Sequence, residues 1–174
     1  MYSWSASFYP QPILNWKHKS TRGLHVDFFA LNVLGFVSYS ISTASFLYSR
    51  KIREQYALRH AKSPEPTVRF NDFAFAAHAV VLVSLTYSQF FTFVWGFEVP
   101  KTQKTSLVTR AIILGSVLVV VLGIVRAVSN DSVASSHASV WTWIDVVCSL
   151  RHATSLLTLS ARSISLVISS FLRH

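Results

Sequence analysis

Asp27, Asp72, His78 and Asn32 are the side chains whose types and surroundings could do chemistry in this chain. Each borders or interrupts a long apolar run. Asp27 stands immediately before Phe28, where a run begins. A carboxylate there either caps a helix by accepting its orphan N–H groups or works as a gate or proton residue. Asn32 follows about one helical turn later on the same side. A buried amide in an apolar helix must find a partner, so it bonds a neighbouring helix or lines a pathway. Asp72 opens the next run after Asn71. It again reads as a cap or as a proton-binding group, because an intramembrane carboxylate is costly without a function. His78 lies inside that run and is either an interhelical hydrogen-bonding residue or a proton relay. The chemistry of this set is proton exchange. No nucleophile–base arrangement, Gly-rich phosphate loop or metal-ligand spacing accompanies it, so the sequence implies no enzyme, cofactor or metal. The single cysteine, Cys148, excludes an intramolecular disulfide framework and a Cys-rich metal site. Asp145, in "WTWIDVV", carries no functional assignment.

The elements that hold these groups are membrane spans. Only 13% of the 174 residues are charged, 51% are hydrophobic, and mean hydropathy is +0.41. A soluble domain is about 25% charged. Lipid is therefore the natural solvent for much of this chain. About 20 apolar helical residues cross a bilayer core. Residues 28–48, 73–95 and 107–128 meet that requirement, with Arg110 and Arg126 placed to snorkel at the ends of the third. Residues 138–150 are apolar but short, and "MYSWSASFYPQPIL" reads as the last turns of a helix whose beginning is missing. The net charge of +9 is spread in short clusters between the runs, as loop charges are in membrane proteins. A nucleic-acid partner is not implied, since its binder would carry basic residues outside apolar spans. With Arg110 and Arg126 counted at their loops, six positive residues border one face and seven the other, so charge alone leaves the orientation open. Gly115 and Gly123 lie two turns apart on the third run and permit close helix packing. Asn130-Asp131-Ser132 is a glycosylation sequon too near a helix end for use.

The run "SFYPQPILNWKHKSTRGLHVDFFALNVLGFVSYS" at 7–40 resembles, in order and without gaps, the first PQ-loop motif of the cystinosin family of lysosomal and vacuolar cystine exporters. "RFNDFAFAAHAVVL" at 69–82 resembles that family's third helix, and "WTWIDVV" continues the likeness more weakly. The match is to a fungal-type, N-terminal half. The resemblance implies an all-α membrane protein of seven helices, in which two three-helix PQ-loop bundles are joined by a linker helix. It implies that Pro10 and Gln11 form a hinge. A proline inside a membrane helix removes a backbone hydrogen bond and kinks it, and paired kinks allow alternating access around a midplane site. It also implies that Asp72 matches an acidic residue of proton coupling, binding a proton at an acidic face and releasing it at a neutral one.

The expected organisation is a first bundle at 1–95 with a truncated first helix, a loop and linker helix at 96–128, and the start of a fifth helix at 129–150. Residues 151–174 form a Ser/Arg-rich tail unlike the family. The second PQ motif should follow residue 150, yet Pro100 is the last proline. A reading-frame change or retained intron near Cys148 would account for the tail. The expected function is proton-coupled export of cystine or a related amino acid from the lysosome or vacuole, with endosomal residence an alternative. Partners are the lipid bilayer, protons and the amino acid. Transport by this chain would require pairing with another copy or a half-transporter. The alternatives are a non-transporting membrane fragment and a PQ-loop exporter of basic amino acids.

Overall fold

The computed structural model describes residues 8–100, 103–132 and 142–152. The chain is an all-α, multi-pass membrane protein. Its helices are α1 (Pro10–His18), α2 (Val26–Tyr48), α3 (Arg50–Arg59), α4 (Phe70–Ser88), α5 (Thr92–Trp95) and α6 (Leu107–Ser132), with α7 at residues 143–152. Of these, α2, α4 and α6 are long and apolar enough to cross a membrane. They coincide with the three runs expected to span. The tail from residue 153 onward, including Arg162, lies outside the described residues, as does the opening stretch before Phe8.

Helices α2 and α4 pack side by side in opposite directions. Tyr48 at the end of α2 meets Phe73 at the start of α4, with ring centroids 5.9 Å apart. Phe29 at the start of α2 meets Phe90, just past the end of α4, at 5.7 Å. Small residues let the backbones approach. Gly35, Ser38, Ser42 and Thr43 are buried on α2, and Ala76 and Ala79 on α4. In lipid, where leucine gains little from leaving the solvent, such close van der Waals contact is what drives association. Of the two glycines expected to serve this purpose on α6, Gly123 is buried but Gly115 behaves otherwise. A Cβ at Gly115 would meet no heavy atom within 4 Å, and Leu114, Leu118 and Leu122 around it are exposed. Helix α6 touches α2 instead through Ile112 and Ile113, which pack against fully buried Leu31.

The span expected at 73–95 is broken. Helix α4 stops at Ser88, and Thr92–Trp95 form a separate turn, α5. The Gln89 N–H tightens onto the carbonyls of Thr86 and Tyr87, and Ser88 Oγ donates to the Leu85 carbonyl while accepting from Trp95 Nε1. These competing bonds from Ser88 and Gln89 end the helix, although the apolar pattern runs on.

Helix α1 starts at mid-depth. Phe8, two residues before it, packs edge-on against Phe36 at 5.5 Å and lies 6.4 Å from Phe75. Phe36 is near the middle of α2, and Phe75 is in the second turn of α4. From there α1 runs to the end where α2 begins. Lys19 (φ 52°) takes the left-handed conformation that closes α1, and Gly23 (φ 85°) turns the chain into α2. Two poles result. At the α1–α2 pole lie residues 19–27, 96–100 and 103–106. At the α3 pole lie the end of α2, α3, the start of α4 and the start of α7.

Candidate functional site

Pro10 occupies the first turn of α1, where its missing N–H breaks no bond within the described helix. Pro12 follows and is buried, and it cannot donate to the carbonyl four residues earlier. Gln11 is half-buried and donates from Nε2 to Asn15 Oδ1 (3.1 Å). Asn15 in turn donates to Gln89 Oε1 (2.8 Å), and Gln89 Nε2 donates to the Pro12 carbonyl (3.0 Å). A closed chain of neutral amides therefore links the PQ segment to the break after α4. Asn15 is 4% exposed and Gln89 2%, so these bonds are formed away from solvent. Neither residue stood out by sequence. The available signal was an uncharged amide inside an apolar run, which must find a partner.

One turn nearer mid-depth, the Tyr9 hydroxyl and His78 Nε2 are 2.7 Å apart. His78 thus makes the interhelical hydrogen bond that was one of its two readings. Asn32 does not reach another helix. Its Nδ2 donates to the Phe28 carbonyl one turn back in α2 (2.8 Å), because the short side chain finds that acceptor closer than any neighbour.

Both acidic candidates cap, Asp72 at the start of its own helix as one of its readings had it and Asp27 at another helix. Asp27 lies inside α2, whose N-cap is His25, and its Oδ1 accepts the Ser106 N–H (2.9 Å) at the start of α6. It caps a neighbouring helix rather than its own. Ser106 completes that start by accepting the Thr109 N–H at Oγ (3.1 Å). Asp72 sits three residues into α4 and its Oδ2 accepts the Arg69 N–H (2.9 Å), the backward bond of a capping box. The structure does not bring these residues together. Asp27 and Asp72 stand at opposite ends of the antiparallel α2–α4 pair, separated by about 30 Å at 1.5 Å per helical residue. His78 and the Pro10–Gln11 pair lie between them.

A further polar arrangement surrounds Asp145, at the α3 pole. Arg59 Nη1 and Nη2 lie 2.5 and 2.9 Å from the two Asp145 oxygens, and Nη2 also reaches Thr142 Oγ1 (3.0 Å). Asp145 Oδ2 accepts the Thr142 N–H (2.7 Å), while Gln55 Oε1 accepts the Ile144 N–H (3.1 Å). The Arg59 hydrogen bonds, aided by that from Thr142, hold the Asp145 carboxyl below its ordinary value against the opposing effect of burial. Sequence reasoning missed this pair because its partners are 86 residues apart.

The PQ loop repeat family matches residues 2–51. Cystinosin of Bos taurus is 42% identical over 87 residues, which are 50% of this chain and 23% of the bovine protein. Cystinosin of Drosophila melanogaster is 32% identical over 143 residues, 82% of this chain and 32% of that protein. A cystine transporter of Saccharomyces cerevisiae is 44% identical over 50 residues, 29% of this chain and 19% of the yeast protein. The chain therefore spans about a third or less of the length of each. Ordered motif, helical membrane fold and these relatives agree, and the chain belongs to the cystinosin family of PQ-loop proteins.

Proposed function

We propose that this chain supplies the first-bundle half of a proton-coupled exporter of cystine or a related amino acid, working in the lysosomal or vacuolar membrane toward the cytosol. The observation that carries the reading is the PQ segment itself. Phe8, two residues before Pro10, packs against Phe36 and Phe75, and the amide chain from Gln11 through Asn15 and Gln89 couples the PQ segment to the broken end of α4. A hinge needs groups that can exchange partners, and the amide chain beside Pro10 and Pro12 supplies them. The reaction makes and breaks no covalent bond. Substrate and proton bind, the halves rock, and both leave on the other side. Asn32 on α2 is the substrate-pathway candidate. Asp72, Asp27 and His78 are the proton-coupling candidates, and Asp72 has the strongest claim because the family likeness at 69–82 falls on it.

The share of each relative that the chain covers favours a second reading, in which the chain inserts but carries flux only when paired with another copy or a second half. Proteoliposomes with an acidic lumen, loaded with radiolabelled cystine, separate the two. Saturable efflux from the chain alone supports a self-pairing carrier, and efflux that competes with lysine or arginine points to basic amino acids. Flux absent both alone and with a co-reconstituted second half rejects the transporter reading. Where flux is found, Asp72→Asn keeps an acceptor for the Arg69 N–H but cannot ionise. It is expected to weaken the dependence on the proton gradient while leaving insertion intact. Asp72→Ala loses the capping bond too, at about 1 kcal/mol. An Asp72→Asn pH profile identical to wild type would reduce Asp72 to a cap.

A further inference from the structure

The Arg59–Asp145 pair joins α3 to α7 across 86 residues of sequence. Helix α6 starts at the α1–α2 pole, held there by the Asp27–Ser106 bond. Its 26 residues span about 39 Å at 1.5 Å per residue, enough to cross to the α3 pole. The chain then re-enters as α7. At that point it does not stand free. Ile144 and Val147 of α7 are buried with Phe46 of α2 and Ile52 of α3, and Tyr56, Val68 and Trp143 flank them. Over this apolar patch the Arg59 fork grips both oxygens of Asp145, and Gln55 takes the Ile144 N–H. Such bidentate geometry fixes orientation as well as distance. The side chains are 38% and 24% exposed, so the pair sits at the rim of the patch and can break into water without stranding a charge in lipid.

We propose that Arg59 and Asp145 form a gate clasp that closes the α3 pole by holding the start of α7 against the corner made by α2, α3 and the segment leading into α4. Both residues are positioning residues, and neither needs to touch the substrate. That the clasp acts as a gate rests on the proposed transport function, whereas the clasp itself does not. The titratable and charged groups bearing on it are Arg59 from α3 and, on α7, Cys148 and Arg151. Because Asp145 is held below the ordinary carboxylate range, mild acid leaves the clasp shut. Opening must then be driven by substrate or proton binding at another group.

The test places nitroxides on Cys148, the single native cysteine, and on Lys62→Cys, both exposed, in the full chain in lipid vesicles. Dipolar broadening reports the approach of α7 to the α3 end without any transport. Arg59→Gln and Asp145→Asn each remove one charge and keep the shape. Each is expected to lose broadening to a similar extent, and the double variant is expected to lose no more than either single. That non-additivity is the signature of one shared interaction. Wild-type broadening is expected to be equal at pH 7.5 and pH 5. Broadening retained in both single variants would show that the apolar patch alone holds α7. Losses that add would show two unrelated effects, and loss in wild type at pH 5 would make the clasp an acid switch. Any of the three overturns the proposal. If the clasp passes while the vesicle flux assay fails in every pairing, the gate role falls with the transport reading and the clasp stands as a structural tie.

Discussion

The two poles of this molecule are tied in different ways. At the α1–α2 pole most ties are backbone and neutral side-chain groups, with the Asp27 carboxylate on the Ser106 N–H beside them. Thr21 N–H donates to the Glu98 carbonyl (3.2 Å), and Glu98 N–H donates to the Lys19 carbonyl (2.9 Å). Gln103 donates from Nε2 to the carbonyls of Thr21 (2.9 Å) and Leu24 (2.7 Å) and accepts from Thr21 Oγ1 (3.0 Å). The Asn15–Gln89 bond lies just inside. The ion pair described at this end is Arg22–Glu98, at 3.8 Å with both side chains 77% exposed, which water screens almost fully. At the α3 pole α3 and α7 are tied by the bidentate ion pair together with the Gln55–Ile144 bond, over an apolar patch. A neutral amide chain is strong when dry and indifferent to pH. An ion pair at a rim can be released by water or by a competing charge. On the proposed transport function, the first pole is suited to a fixed pivot and the second to a releasable contact.

The comparison is broken most severely at Asn15. Asn15→Leu leaves the Gln89 amide buried without its acceptor-side partner and should destabilise the chain by about 1–3 kcal/mol, read as the shift of thermal unfolding in detergent. The same loss should appear at every pH from 5 to 8. An Asn15→Leu chain as stable as wild type would remove the pivot.

Asp27→Ala should cost about 1 kcal/mol, because the start of α6 loses the acceptor for the Ser106 N–H. Hydrogen exchange sharpens this. Protection should fall at residues 106–109 and not at the start of α2, since Asp27 does not cap its own helix. The reverse pattern would restore the sequence-based reading.

Acid titration separates the poles directly. Asp145 has a lowered folded value, so its contribution is fully present above the ordinary carboxylate range and is lost as pH falls through that lowered value. The stability difference between wild type and Asp145→Asn should stay flat from neutral pH to about 5 and shrink below about 4. A difference already shrinking at pH 6 would contradict this sign.

The smallest effect is expected at the exposed pair. Arg22→Ala should change stability by less than about 0.5 kcal/mol, even at low ionic strength. A larger, salt-sensitive loss would mean that charge also holds the α1–α2 pole.

The spans were legible because their signal is local. Some 20 uncharged residues in sequence need no partner to declare themselves, and α2, α4 and α6 fall where composition put them. The motif at 7–40 was legible for a similar reason, as a contiguous string. Helix ends were less so. The apolar run from Phe73 to Trp95 hid the stop at Ser88, because its cause is a set of bonds made by Ser88 and Gln89 rather than a proline or glycine.

Membrane class and the approximate positions of the spans were determined by the sequence alone, since each depends on residue type summed along a segment, and the family was legible as an ordered string. The partners of the polar groups were decided only by the tertiary structure. Asp27 caps a helix 79 residues away, Asn15 finds Gln89 across 74, and Arg59 finds Asp145 across 86. A buried amide or carboxylate announces that it must be satisfied, but not by whom. The choice follows from which helices lie antiparallel and how closely small residues let them approach. Periodicity within one segment does not contain that information.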